Sequence, residues 1–156
     1  MNPSVNFRFS LLAALLLASC AGPEKTLVVR QFQLRDQEVK NYDEPSVRME
    51  KLRHLHGAVS MAERREKLGQ YYTMLWTDPG SAGQGDIELI FEYQQGRTAS
   101  LVKRMVKKFP ASDTHGKAEF AVIGQNYFKN GRVITWKATL KRGGRVLDTK
   151  QSYLWR

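Results

Sequence analysis

The side chains that could do chemistry in this chain are three histidines, a row of carboxylates and a few serines. His54 and His56 could present two imidazoles on one side of a strand, and His115 could complete the three protein ligands of a catalytic zinc ion. No carboxylate or cysteine stands at matching spacing. We therefore interpret the histidines as surface residues and expect no metal site.

Asp86, Glu88 and Glu92 could form an acid/base row like that of a glycosidase, because side chains two apart share one face of a strand. They alternate with apolar residues, which favours the solvated face of a half-buried strand. The serines have no G-x-S-x-G setting and no phosphate-binding glycine loop is present; they are Ser60, Ser81 and Ser100. The sequence therefore predicts a protein without catalytic activity and without a cofactor.

The whole chain has a formal net charge of +10, and the positive charge is concentrated in its second half. From Cys20 to Gly96 there are 10 basic and 12 acidic side chains (−2), against 14 and 3 (+11) from Arg97 to Arg156. We expect the basic half to contact an anionic partner. The densest predicted cluster is Lys103, Arg104, Lys107 and Lys108, and the second is Lys137, Lys141, Arg142, Arg145 and Lys150.

The amino-terminal residues have the pattern of an export signal. A short polar start carries Arg8, an apolar run covers residues 9–17, and two small residues precede Cys20. The run is shorter than the roughly 20 apolar residues that span a bilayer. Residues 1–19 are therefore predicted to be a signal peptide.

The segment Leu17-Ala18-Ser19-Cys20 resembles the lipobox of bacterial lipoprotein precursors. The resemblance implies cleavage before Cys20, lipidation of its thiol and a lipidated tether over residues 20–25. Ala21 rather than Asp after the cysteine implies an outer-membrane location, facing the periplasm or the cell surface. Cys20 is the single cysteine of the chain, so no intramolecular disulfide can form.

An exported basic protein would not meet nucleic acid. Its expected partners are the membrane, through Cys20, and an anionic lipid, lipopolysaccharide, a cell-wall polymer or an acidic protein. We therefore expect a lipid-anchored binding or structural module of the cell envelope. The alternative is a carrier of a small apolar ligand or lipid.

The rest of the chain alternates strand and turn signals. Residues 26–38, 70–77 and 86–94 read as strands, and Ser60 to Glu63 has the spacing of a capping box before one short helix. Residues 97–109 fit a strand, with a basic amphipathic helix as the alternative, and residues 47–59 are ambiguous between helix and loop.

Two dipeptides in the tail, Asn130-Gly131 and Gly143-Gly144, predict consecutive hairpins. Pairing across both turns places Lys137 opposite Lys150 and gives one apolar face. The predicted core of that face is Ala121, Ile123, Tyr127, Ile134, Trp136, Ala138, Leu140, Leu147 and Tyr153.

About seven strands with regular turn signals indicate a single antiparallel β-sandwich of the immunoglobulin or fibronectin type over residues 26–156. The closing segments, Gly131 to Leu140 and Ser152 to Trp155, resemble the last strands of small immunoglobulin-like domains in secreted bacterial lipoproteins. A lipocalin-like barrel, which would hold one apolar ligand, remains the alternative fold.

Overall fold

Residues 25–78, 84–98 and 100–156 are described by the computed structural model. The predicted signal peptide, Cys20 and the loop at 79–83 lie outside these residues. The strands are β1 Leu27–Leu34, β2 Gly69–Thr77, β3 Ile87–Gln95, β4 Lys103–Phe109, β5 His115–Ile123, β6 Val133–Arg142 and β7 Arg145–Gln151. The helices are α1 Pro45–Leu55, α2 Met61–Glu66 and α3 Gly124–Asn130.

The strands form two antiparallel sheets, one ordered β1-β2-β5 and the other β4-β3-β6-β7. In immunoglobulin-like sandwiches one sheet contains the first, second and fifth strands, and the facing sheet contains the third, sixth and seventh. The strands of this protein are distributed in the same way, with β4 added beside β3. The predicted immunoglobulin-like β-sandwich is therefore confirmed. The alternative prediction of a lipocalin-like barrel is wrong, because the described strands form two separate sheets and not one closed sheet.

Aromatic side chains fill the space between the sheets. Tyr72, Trp76, Phe91 and Phe120 are at most 3% exposed. The Phe91 ring lies 4.6 Å from Tyr72 and 5.4 Å from Phe120, both of which belong to the opposite sheet. Alternate residues of each strand face inward, so these large rings meet in the middle and pack the interior.

The helices before β2 are two rather than one. α1 resolves the ambiguous segment at 47–59: Pro45 stands in its first turn, and Gly57 beyond its end has a φ of +80°. The helix covers the outer face of the three-stranded sheet, where Leu55 packs with Leu34 and Tyr71. In α2 the predicted capping box is confirmed, since Ser60 and Glu63 bond reciprocally.

The predicted hairpin at Asn130-Gly131 is wrong. Instead α3 ends there, with Gly131 at a φ of +82° and its N–H donating to the Tyr127 carbonyl. An Asn-Gly pair favours positive φ equally in a two-residue hairpin and at a helix end, so the dipeptide does not separate the two. Because β5 pairs with β2 and β6 with β3, the chain changes sheets here.

The hairpin at Gly143-Gly144 is confirmed, but a bulge between Leu140 and Lys141 shifts its register by one residue. Leu140 therefore faces Asp148 and Lys137 faces Gln151, which removes the predicted Lys137–Lys150 pair.

The predicted core holds only in part. Ala138 and Leu140 are fully buried, and Trp136 and Leu147 pack partly buried against the main core. Ala121 and Ile123 belong to the smaller core under α1. Ile134 is 42% exposed at an irregularity where Gln94 pairs with Thr135 and Gln95 pairs with Val133, and Tyr153 is 99% exposed beyond the end of β7. The segment at 97–109 contains the strand β4, as predicted.

Candidate anion-binding face

The outer face of the four-stranded sheet carries four exposed or half-exposed cations. Directly opposed residues of antiparallel strands share a face, so the register aligns Lys108 with Glu88 and Lys141 across β4, β3 and β6. A second row aligns Arg104, Glu92 and Lys137 in the same way. We call the surface defined by Arg104, Lys108, Lys137 and Lys141 the basic sheet face.

Between the two charged rows lies a row of β-branched side chains. Val106, Ile90 and Thr139 align across the same three strands, and Val146 stands next to Lys141 on β7. Ile90 is only 4% exposed, whereas Val106 and Val146 remain 42% and 53% exposed. A shallow depression of about 380 Å³ is lined by Ile90, Thr139 and Val146 of this row and by the charged side chains of Glu92, Arg104, Lys137 and Lys141. The face is thus apolar at its centre and cationic around it.

The two glutamates reduce the charge of the face without cancelling it. Lys108 bonds Glu88 at 2.9 Å, which lowers the pKa of the Glu88 carboxyl and raises that of Lys108. Glu92 stands between Arg104 and Lys137. With four cations and two carboxylates, the six side chains carry a net charge of +2.

The remaining residues of the predicted contact surface lie elsewhere. Lys103 and Lys107 are on the inward side of β4, where Lys103 donates to Gln95 and Asn126 and Lys107 lies 5.7 Å from the Phe120 ring centroid. These lysines on an edge strand also discourage pairing with another chain. Lys150 pairs with Asp148 at 3.1 Å, and Arg145 is exposed at the β6–β7 turn.

Arg142 is 2% exposed and does not belong to the basic sheet face. Its guanidinium bonds Asp78 at 2.6 Å and donates to the carbonyls of Gly85, Ala111 and Asp113. These partners come from the connections on either side of β3 and β4, so Arg142 holds one end of the sandwich together. No local pattern in the sequence separates it from the exposed lysines nearby.

His54 has a structural setting that its sequence neighbourhood does not reveal. Its ring stacks 3.6 Å from the Tyr71 ring and is 7% exposed. Its Nε2 lies 3.3 Å from Glu50, and Arg53 bonds both Glu50 and Glu119 at 3.0 Å. Burial, reinforced by the Arg53 charge, lowers the pKa of His54. The cluster fastens α1 to β5, and the expectation of a surface histidine is wrong for His54.

The other candidate groups stay apart. His56 and His115 are exposed on different elements, α1's end and β5's start. Ser60 caps α2, and Ser81 lies outside the described residues. Among residues 25–78, 84–98 and 100–156, no three His, Cys, Asp or Glu side chains are grouped to hold a metal ion. Glu88 and Glu92 lie on the outer face of β3, between its buried residues.

Comparison with known proteins adds no further assignment: no family model, no curated protein and no solved structure matches this chain. Within the described part of the chain, no helix combines the length and the apolar character needed to cross a membrane. The class of protein that the coordinates define is an immunoglobulin-like β-sandwich with a packed aromatic core. Its function has to be inferred from its surfaces.

Proposed function

We propose that this protein is an exported, lipid-anchored binding module of the cell envelope that acts without catalysis. Cys20 attaches it to the membrane, and the basic sheet face binds the phosphate groups of anionic lipids, lipopolysaccharide included. The observation that carries the proposal is the pair of cationic rows on either side of an apolar row, on a face that none of the three described helices covers.

This arrangement suits a headgroup region. Lysine and arginine side chains place charge on phosphates while their aliphatic stems and the neighbouring valines contact less polar groups. Each cation near an anionic surface contributes about 1 kcal/mol, and the effect falls off within about 8 Å at physiological salt. Because the four cations lie on one face of the sheet, they can approach an anionic surface together.

The tether length is compatible with such a contact. The seven residue steps from Cys20 to Leu27 span at most about 25 Å when extended. The chain joins the sandwich at Thr26, whose carbonyl accepts from the Thr77 N–H. A domain held this close to a membrane meets it at high effective concentration, so weak contacts through the sheet face are sufficient.

Vesicle sedimentation tests the face. Every described strand and helix lies within residues 27–151, so we expect a chain of residues 21–156 to retain the fold. We expect this chain to bind phosphatidylglycerol vesicles but not phosphatidylcholine vesicles. Removing two cations, K137Q/K141Q, should weaken binding about 30-fold.

The matched control is K117Q/K150Q, which removes the same charge outside the basic sheet face and should have a much smaller effect. Lys117 lies in β5 of the other sheet, and Lys150 in β7 pairs with Asp148. Glu92→Gln should strengthen binding, because it leaves Arg104 and Lys137 without the carboxylate between them. Equal weakening by both double variants would contradict the proposed face, since charge alone would then explain binding.

Metabolic labelling with an alkyne fatty acid tests the anchor. The full-length chain should be labelled, and Cys20→Ala should not be labelled. Labelling that persists in Cys20→Ala would overturn the anchoring part of the proposal while leaving the vesicle experiment meaningful.

A further inference from the structure

A second group of cations lies at the end of the sandwich around α3. Arg97 donates to the Phe128 carbonyl at 3.0 Å, and the Arg65 guanidinium lies 5.1 Å from the centroid of the Phe128 ring. Lys129 follows Phe128 in α3, and the Arg132 carbonyl accepts from the N–H of Gly96. We call the set Arg65, Arg97, Lys129 and Arg132 the α3 basic patch.

All four side chains of the α3 basic patch are exposed. None of them forms an ion pair with any residue that the structure describes. One carboxylate, Glu66, lies against Gly124, one helical turn before Phe128, so four cations and this carboxylate carry a net charge of +3. The patch therefore carries more uncompensated charge than the basic sheet face, where two glutamates stand between the cations.

The patch lies at the far end of the domain from the tether. β1 starts at Leu27, opposite Trp76, and ends at Leu34, opposite Gly69. Gly69 pairs in turn with Ile123, the last residue before α3. Seven residue steps along β1 separate these two ends by about 23 Å. If Cys20 anchors the protein and the basic sheet face contacts the membrane, the strands run along the membrane surface. The patch then lies at the side of the domain, where a soluble partner can reach it.

We propose that the α3 basic patch docks an acidic segment of a partner protein, and this orientation rests on the proposed anchoring. Three of its four cations are arginines, whose planar forks bind carboxylates in a bidentate way. The half-buried Phe128 adds an apolar contact beside them. Carboxylates and aliphatic groups occur together in an acidic peptide, and a phosphate polymer lacks the aliphatic part. The patch thus complements a peptide in both respects.

Fluorescence anisotropy with a labelled 20-residue peptide of alternating glutamate and leucine blocks tests this proposal, using residues 21–156. We expect saturable binding that weakens as salt rises, and no binding of the same peptide with glutamine for glutamate. K129Q/R132Q should weaken binding about tenfold, since each lost exposed ion pair contributes up to about 1 kcal/mol. This double variant spares Arg97, which bonds the α3 backbone.

K137Q/K141Q is the matched control, because it removes two charges from the basic sheet face. It should lose affinity for anionic vesicles and keep its affinity for the peptide, and K129Q/R132Q should do the reverse. Peptide binding that K129Q/R132Q leaves unchanged would overturn the docking site. So would polyphosphate or anionic vesicles binding through the same two residues with greater affinity than the peptide. Neither result would affect the proposal for the basic sheet face.

Discussion

Arg142 is predicted from its sequence context to be an exposed contact residue, but its side chain is buried between the two ends of neighbouring connections. The side chain of Arg142 is 1% exposed and that of Asp78 is 12% exposed. Together with three backbone carbonyls, Asp78 satisfies four guanidinium hydrogen bonds. We expect Arg142→Ala to destabilise the fold rather than to impair ligand binding.

The magnitude follows from the contacts. A hydrogen bond to a charged group contributes about 1.5 to 3 kcal/mol net of the water hydrogen bonds that it replaces, and the four bonds of one guanidinium do not add independently. Burial of the two charges costs several kcal/mol each, which offsets most of that gain. Removing one partner, however, leaves Asp78 buried and unpaired. The expected loss in the free energy of unfolding is therefore about 3 to 5 kcal/mol.

Urea denaturation of wild type, R142A, D78A and the double variant measures this loss and its coupling. The double variant should cost less than the sum of the single ones, by about 1 to 3 kcal/mol, because the second substitution removes a group already left unpaired. Arg142→Lys should fall between wild type and R142A, since one ammonium cannot reach all four acceptors. A decrease in the free energy of unfolding of less than about 1 kcal/mol for R142A, which is typical of a surface ion pair, would refute the buried Arg142–Asp78 interaction.

Three further predictions concern the core, the helices and pH. Phe91→Ala should cost about 3 to 5 kcal/mol by urea denaturation, whereas Tyr153→Ala, at a 99% exposed position, should change stability by less than about 0.5 kcal/mol; similar costs would contradict the observed register. Gly131→Ala should cost about 1 to 3 kcal/mol, because a φ of +82° with a ψ of −177° is a conformation that almost only glycine adopts. Gly96→Ala, where the nearest non-neighbouring atom to an added Cβ is 3.7 Å away, should be nearly neutral; the reverse order would exclude the helix end at Gly131. The pKa of His54 is lowered below its ordinary 6.5 in the folded state, so the unfolded chain binds more protons and the thermal midpoint should fall as pH drops through 6.5. His54→Phe should reduce this fall and the exposed His56→Gln should not; an unchanged pH dependence in His54→Phe would contradict the buried neutral imidazole.

Some features of this protein follow from short stretches of sequence, because the interactions that form them are local. The capping box of α2 needs only Ser60 and Glu63, three residues apart. The alternation of β3 places Glu88 and Glu92 outward and Phe91 inward whatever the strand pairs with. The Gly143-Gly144 turn fixes its own hairpin, since both glycines accept positive φ. The number of strands, and with it the sandwich class, follows from such signals.

Pairing between distant strands was decided only by the tertiary structure. Asn130-Gly131 is compatible with a hairpin and with a helix end. The helix end forms because β5 pairs with β2 and not with β6. Two buried glutamine side chains, which no sequence pattern predicts to be buried, stabilise the helix end at Gly131. Gln70 bonds the backbone of Val133 across the two sheets, and Gln95 bonds the carbonyls of Asn126 and Gly131 below α3.

For the candidate binding surfaces, too, the sequence determines one part and the tertiary structure determines the rest. The sequence by itself shows that cations dominate the second half of the chain, because charge is a property of composition. Which of them face solvent together depends on how β4, β3 and β6 pair. This pairing places Lys137 and Lys141 on one face with Arg104 and Lys108. Arg142 is instead buried beside Asp78. Arg97 and Arg65 lie near each other because both contact Phe128. Burial and proximity are set by partners far away in the chain, so composition alone cannot assign them.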